Sequence, residues 1–406
     1  MINRKSISKK VIEYCQIFPV VAIVGPRQVG KTTLVKALIP SMKTDVIYLD
    51  LERPSDLSKL DHPELFLMRH KNKCVILDEI QCKPNLFPLI RSLVDEQKRV
   101  GSFIILGSAS PTLLKQSSET LAGRIGYIEL GPFSIPEIYE KFNFEKHLFL
   151  GGFPVSYLSP DDKNAKIWLE NFIKTYLERD LHLLGLTANP VLIRRLWEML
   201  AWQTGGLLNQ NSLSKSLGVS NHTINRYIGF FEGAFLAMKL QPFTINIKKR
   251  LVKTPKIYIR DTGLLHSLLR VVDYEQLLGN PLLGNIFETY IINQVMLVKK
   301  DELDLYFYRT HAGAEIDLVI AKGLTPICSV EIKFSSAPKI SRGFMEGIAS
   351  LQTSTNFIII PKDEDYLIDE NMENDITNDD LSDEIPANAL TSLGRQSDGS
   401  YCSACH

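Results

Sequence analysis

The chemistry with the sharpest signature lies near the start of the chain, where Gly25, Pro26, Arg27, Gln28, Val29, Gly30, Lys31, Thr32 and Thr33 contain the full GxxxxGK[ST] pattern of a Walker A loop. Glycines at its two ends let backbone amides turn inward toward phosphate oxygens. A helix beginning at Lys31 adds its positive dipole end, Lys31 reaches the outer phosphates, and the Thr32 hydroxyl can ligate Mg²⁺. The pattern points to a nucleoside triphosphate, expected to be ATP.

Downstream, Val75-Ile76-Leu77-Asp78-Glu79 ends an apolar run with two carboxylates. Behind a P-loop, Asp78 is expected to hold Mg²⁺ directly or through water. Glu79 is expected to orient and polarise an attacking water, which favours hydrolysis over transfer to a small acceptor. Ser108, after Phe103 to Leu106, could touch the γ-phosphate or the water, and capping a helix that starts near Pro111 explains it equally well. Arg124 could stabilise developing phosphate charge, from its own subunit or from a neighbour in a homo-oligomer, or it is a surface arginine.

A second constellation lies late in the chain. Asp317 is followed, two strand lengths on, by Glu331-Ile332-Lys333. Alternation puts Glu331 and Lys333 on one strand face, so with Asp317 they could converge on one Mg²⁺ or Mn²⁺ while Lys333 steadies a water or a scissile phosphate. The arrangement looks like the PD-(D/E)xK nuclease pattern, with Glu288 on the preceding helix as a fourth member. Glu and Lys are also ordinary strand-surface residues, so an inactive or binding-only relative stays open.

The elements that must position these residues follow from hydrophobic pattern. Val20 to Val24 is a continuous apolar run of the kind a strand covered on both faces requires, and Thr33 to Ile39 has helical spacing until Pro40. Further runs at Val46 to Leu49, Cys74 to Leu77 and Phe103 to Leu106 alternate with helix-compatible segments such as Leu86 to Gln97. That alternation predicts a parallel α/β sheet.

After Gly151, Gly152 and Pro154 the pattern turns helical, over Asp161 to Leu184 and Leu192 to Trp202. Ser212 to Leu217, a turn at Gly218 and a helix from about Ser220 to Glu232 then read as a helix-turn-helix. Asn221, His222, Thr223, Asn225 and Arg226 are candidate DNA contacts, although such a unit serves equally as a plain interdomain spacer, and Arg226 could equally pair with Glu232 or a neighbouring carboxylate. Ala237 to Phe243 and Lys256 to Ile259, flanking Lys248-Lys249-Arg250, would form a wing. A helix at Asn285 to Val298 and strand-like runs at Leu305 to Tyr308, Glu315 to Ile320, Ile327 to Lys333 and Asn356 to Ile360 complete a further α/β unit. His182, His222 and His266 have no metal-cluster spacing.

The fold class is therefore α/β: a P-loop NTPase parallel sheet over 1–150, which the resemblance given below makes AAA-like, a helical and winged-helix-like region over 151–270, a small nuclease-like α/β domain over 271–361, and an acidic tail expected to be disordered over 362–406. The charge distribution agrees with that partition. The chain carries 46 basic and 46 acidic residues. Twelve of the acids but only Lys362 and Arg395 of the bases lie beyond residue 361. The body thus has a mild cationic excess suited to nucleotide or DNA without proving either. No apolar stretch near the start is long enough to span a bilayer, no membrane partner is expected, and six scattered cysteines suggest reduced thiols and a cytoplasmic location. The ending Cys402, Cys405, His406 spells a haem-attachment pattern and is read as a terminus without a site.

Taken together, GPRQVGKTTL, VILDEIQ, ILGSAS, LAGRIGYIELGPFS, PKIYIRDTGL, FETYI, YFYRTHAGAEIDLVI and VEIK resemble a family of bacterial and archaeal AAA-type ATPases that carry a C-terminal domain of unknown function. The resemblance covers about residues 10 to 361. It implies ATP at the P-loop, Mg²⁺ at Thr32 and Asp78, a sensor at Ser108, and Arg124 near a nucleotide. The expected activity is Mg²⁺-dependent ATP hydrolysis coupled to action on DNA, with or without nuclease cleavage. The alternative is a nucleotide-dependent switch whose C-terminal domain binds nucleic acid or protein without cutting it.

Overall fold

The apolar run at Val20 forms the centre of the first sheet. In the computed structural model, which describes residues 2–108, 120–180, 188–244, 251–335, 339–353 and 355–361, Val20–Gly25 (β1) is buried along its whole length. It runs parallel to Phe103–Ser108 (β4) on one side and to Ile125–Glu129 (β5) on the other. Val46–Asp50 (β2) and Cys74–Asp78 (β3) extend the sheet beyond β4, giving the order β2-β3-β4-β1-β5. Because the chain leaves β1 for the β2 edge and later returns to its other side as β5, β1 lies at a switch point. The crevice at its carboxyl end is where a ligand seats in such sheets.

The chain divides into two compact units, the first comprising Met1–Pro132, Glu178–Thr187 and Tyr227–Leu236. Its main core is built from alternate strand residues such as Val75, Leu77, Phe103 and Ile105. The helix Leu86–Gln97 adds Leu86, Phe87, Ile90, Leu93 and Val94 at helical spacing. Each such side chain contributes roughly 1.5–3 kcal/mol by leaving water, enough for this face to fix the helix on the sheet. Two elements differ from the sequence expectation. The basic N-terminal segment folds as a helix, Lys5–Ile17. The β5 strand was not anticipated, since its Gly126 and Glu129 interrupt any apolar run.

The second unit comprises Phe133–Leu177, Ala188–Arg226 and Ala237–His406. Asp162–Thr175 is helical and continues into a π-helical turn at Tyr176–Asp180, while 181–184 of the helix expected to Leu184 lie outside the described residues. Pro190–Trp202 follows. The helix-turn-helix pattern appears as Gln210–Leu217, a left-handed Gly218 with φ of 66°, and a helix from Asn221 whose Thr223 amide donates to the Ser220 hydroxyl at 3.1 Å.

The expected wing is built differently. Ala237–Pro242 (β6) and Lys256–Ile259 (β7) do pair antiparallel, but β6 also lies parallel to Leu303–Arg309 (β8). With Glu315–Lys322 (β9), Thr325–Ile332 (β10) and Thr355–Ile359 (β11) they complete one six-stranded sheet, β11-β10-β9-β8-β6-β7. A free edge on β6 would leave unpaired backbone groups, and β8 covers it. The helix Arg342–Leu351 lays Phe344 and Leu351 on the core formed with Ile316 and Val319. The basic run Lys248–Arg250, His182 and the acidic tail with Cys402, Cys405 and His406 lie outside the described residues.

Among the described residues, Cys15, Cys74 and Cys82 stand outside any disulfide. Among the described residues, no helix is long and apolar enough to cross a membrane.

Candidate functional site

Gly25 closes β1 with φ of 153°, and a side chain there would run into the Leu130 carbonyl oxygen. Gln28 and Gly30 also take positive φ, 63° and 93°, which curls residues 25 to 30 into a loop ahead of the helix Lys31–Leu38. Such a curl gathers backbone amides on its concave side. Lys31 is 7% exposed, and its Nζ donates to the Gly25 and Pro26 carbonyls at 3.0 and 2.8 Å, folding the side chain back over the loop. Burial lowers its pKa to about 8 against the opposing pull of Glu79 and Asp78. A buried ammonium that donates to two carbonyls gains from a phosphate at the same place, so the loop fits the group that its sequence implies.

Asp78, 3% exposed at the end of β3, takes hydrogen bonds on both carboxylate oxygens. Thr32 Oγ1 donates to Oδ2 at 2.7 Å, Tyr48 Oη donates to the same oxygen at 2.5 Å, and the Glu79 amide donates to Oδ1 at 3.0 Å. A hydroxyl and a carboxylate so juxtaposed are oxygen donors of the kind Mg²⁺ prefers. Burial, then the bond to Asp78, holds the Tyr48 phenol far above its usual range, so it stays a donor.

Glu79 has a left-handed backbone with φ of 55°, uncommon for a side chain of its size, and its carboxylate takes a hydrogen bond from the Gln81 amide. Burial raises its pKa. Arg27 makes an ion pair with Glu52 at 3.6 Å.

Sequence reasoning missed Arg4. It is 7% exposed and donates to the carbonyls of Val29, Gly131 and Pro132 at 3.2, 3.0 and 3.3 Å, tying the loop to the segment after β5. Tyr48 was missed too, since a tyrosine in a strand is routine.

Arg124 falls elsewhere. It immediately precedes β5, and its carbonyl accepts from Val20 at the start of β1, whereas the P-loop leaves the other end of that strand. Five residues of strand separate the two ends by about 16 Å. Its guanidinium is engaged by Asp95, with Nε–Oδ1 of 2.5 Å and Nη2–Oδ2 of 3.0 Å. The structure thus places Arg124 away from the P-loop of its own subunit and against Asp95. Ser108 closes β4 beside Gly25, and its side chain lies outside the described residues.

In the second unit the structure brings Glu288 and Asp317 together around a residue that the sequence did not single out, while Glu331 and Lys333 pair with each other. Lys256 of β7, whose side chain is 3% exposed, places Nζ 3.0 Å from Glu288 Oε1, 3.2 Å from Glu315 Oε1 and 3.6 Å from Asp317 Oδ1. Tyr258 Oη donates to the same Glu288 oxygen at 2.5 Å, and the Ile332 amide donates to Asp317 Oδ2 at 2.9 Å. Glu331 turns to Lys333 at 2.8 Å, while its Oε2 is buried with no hydrogen-bond partner among the described residues.

Burial pulls the Lys256 pKa down, but Glu288, Asp317 and Glu315 outweigh it and hold the lysine charged. Burial in turn raises Glu288 to about 7, against the Lys256 charge. The geometry gives no support to the expected second Mg²⁺ or Mn²⁺ here. The Lys256 ammonium occupies the middle of the carboxylates, and among the described residues no group of three or more His, Cys, Asp or Glu is arranged to hold a metal. The sequence shows only a lysine opening a short strand-like run, and its burial appears with the fold.

The exposed face of the second helix of the helix-turn-helix carries Asn221, His222, Asn225 and Arg226, with Thr223 half-buried. The Asn221 amide donates to Asn211 at 2.6 Å, and Asn225 accepts from Gln210 at 3.0 Å, so part of that face is tied to the preceding helix.

Comparison with known proteins adds three findings. An AAA domain model matches residues 18–139, and two models described only as domains of unknown function match 141–275 and 283–377. Uncharacterized proteins of Mycobacterium tuberculosis and Mycobacterium bovis are each 36% identical over 362 residues, covering 89% of this chain and 80% of the relative. An uncharacterized protein of Haemophilus influenzae is 25% identical, covering 65% and 72%. Among solved structures, a Walker-type ATPase of Pyrococcus abyssi aligns with a TM-score of 0.47 at 16% identity, covering 66% of this chain and 96% of that one.

Proposed function

The chain belongs to one family with the two mycobacterial proteins and carries an AAA domain, and from that premise we propose that it is a Mg²⁺-dependent ATPase whose second unit binds a macromolecule without cutting it. The observation that carries the ATPase reading is the hydrogen bond from Thr32 of the P-loop to Asp78 of β3 beneath a buried Lys31.

In this reading the amides of residues 25 to 30 and the Lys31 ammonium receive the phosphates, Lys31 leaving the Gly25 and Pro26 carbonyls as it does so. Thr32 and Asp78 hold Mg²⁺, which when bound neutralises charge on the phosphate oxygens. Glu79 orients the attacking water and accepts its proton. Its raised pKa suits that task, because a stronger base takes a proton more readily. Ser108 contacts the outer phosphate or that water. Arg124 acts, if at all, on the nucleotide of a neighbouring copy.

Lys256 favours the binding reading over the nuclease. A metal at Glu288 and Asp317 would have to displace the Lys256 ammonium, which is paired with both and with Glu315, leaving a buried lysine charge uncompensated at a cost of several kcal/mol. The exposed Asn221, His222, Asn225 and Arg226 make DNA the partner to try first. In domain terms, the ATPase part expected over 1–150 has its sheet within 1–132, and β6 and β7 of the winged-helix-like part expected over 151–270 share one sheet with the strands of the nuclease-like part expected over 271–361.

The test is direct. Lys31→Ala should lose nucleotide binding, and Glu79→Gln should bind ATP yet hardly turn it over. Wild-type turnover in both variants would remove the ATPase reading. Plasmid cleavage that requires Mg²⁺ or Mn²⁺ and is lost in Asp317→Ala would replace the binding reading with the nuclease.

A further inference from the structure

Three donors meet the Asp78 carboxylate, and two of them come with the site's own backbone: Thr32 follows the P-loop lysine, and the Glu79 amide is the next residue along. The third, Tyr48, comes from the neighbouring strand. β2 and β3 are in parallel register, with Asp50 beside Asp78 and Tyr48 beside Ile76, so the phenol reaches forward along the sheet to Asp78 Oδ2 at 2.5 Å. Nothing in the strand requires a hydroxyl there, because Ile47 and Leu49 flank it and a phenylalanine would fill the same half-buried position. The ring also carries the Lys36 ammonium 4.7 Å from its centroid. Lys36 lies one turn beyond Thr32 on the helix Lys31–Leu38. One side chain thus joins the P-loop helix, β2 and the end of β3.

We infer that Tyr48 is a positioning residue for the Mg²⁺-holding pair. Its O–H fixes the Asp78 carboxylate in the rotamer that meets Thr32 and draws charge from the oxygen the two share. Asp78 then presents Oδ2 already hydrogen-bonded to two donors, so that the carboxylate and the Thr32 hydroxyl would be held in place to receive Mg²⁺. The inference rests on the ATPase reading but concerns a different group from the ones that define it.

The experiment measures ADP affinity by calorimetry in EDTA and in Mg²⁺ for the wild type, Tyr48→Phe, Tyr48→Leu and Lys36→Met, with thermal melting to confirm folding. The wild type should bind ADP more tightly in Mg²⁺. Loss of one hydrogen bond to a charged group should cut that Mg²⁺ enhancement by roughly three- to tenfold in both Tyr48 variants while leaving affinity in EDTA within about twofold. Lys36→Met, which keeps the phenol, should retain the enhancement. An unchanged enhancement in folded Tyr48→Phe would overturn the inference, and so would an equal loss in Lys36→Met, which would assign the effect to the ring instead of the hydroxyl. A wild type that binds no ADP in either condition would instead overturn the ATPase reading itself.

Discussion

The Lys256 ammonium lies 3.0 Å from Glu288 Oε1, and both side chains are almost wholly buried. The pair is the hub of the second unit's charge cluster, and cutting it on one side leaves the other uncompensated. Lys256→Met should therefore destabilise the protein by roughly 3–5 kcal/mol, more than Lys256→Met combined with Glu288→Gln does relative to Glu288→Gln alone. Urea denaturation of the four proteins measures that coupling, and strict additivity would show that the two charges do not depend on each other.

The same carboxyl gives the protein an unusual acid profile. Burial raises Glu288 to about 7, above an ordinary value of 4.5, so the folded protein keeps this proton over a range in which the unfolded chain has lost it. Stability from this group is complete below about 4.5 and declines as pH rises through 7, the reverse of a salt-bridged surface carboxylate. Glu288→Gln, which still accepts from Tyr258, should flatten the change in urea midpoint between pH 5 and pH 7. A slope as steep as the wild type's would assign it to other groups.

Lys31 sets a different limit. Burial lowers it to about 8, and a bound phosphate would favour its charged form. Nucleotide affinity should be nearly level up to about pH 8 and then fall by up to about tenfold per pH unit, because the protein must first take up a proton. Fluorescent-nucleotide titrations from pH 7 to 9.5 would show this, and constant affinity throughout would mean that Lys31 either stays charged or plays no part in binding.

What the sequence disclosed follows from the range over which its signals act. The helix Leu86–Gln97 and the strands β1 to β4 carry continuous or helically spaced apolar residues, and they were legible. Thr32 and Asp78 were legible as a pair because each sits in a motif with its own local spacing. β5 escaped since it is half-exposed and broken by Gly126, and its place beside β1 is fixed by pairing over a hundred residues of chain. Tyr48 and Lys256 escaped for a related reason: a tyrosine or a lysine in a strand is commonplace, and only the fold reveals that one meets Asp78 and the other three carboxylates.

The two loop glycines should not tolerate substitution equally. Both need positive φ, which costs roughly 1–3 kcal/mol for a side chain, but a Cβ on Gly25 would also meet the Leu130 carbonyl, whereas one on Gly30 finds no atom within 4 Å. Gly25→Ala should lower the melting temperature further than Gly30→Ala does, by several degrees at roughly 2–4 °C per kcal/mol. Differential scanning fluorimetry decides it, and equal melting temperatures would show that the backbone near Leu130 yields.

Arg124 poses the question of assembly. Its position at the opposite end of β1 from the P-loop, and its bidentate contact with Asp95, leave a neighbouring copy as the route by which it could reach a nucleotide. If it takes that route, Arg124→Ala should keep wild-type ATP affinity and lose turnover, and mixing it with the Lys31→Ala variant should restore part of the activity. The restoration arises because mixed assemblies pair an intact P-loop from one copy with an intact arginine from the other. Turnover per subunit should also rise with protein concentration in the wild type and stay low in Arg124→Ala. Should turnover be unaffected by Arg124→Ala at every concentration, the arginine serves only to hold the helix Leu86–Gln97 against the start of β5 through Asp95, and Asp95→Ala would then reproduce whatever stability the arginine variant loses.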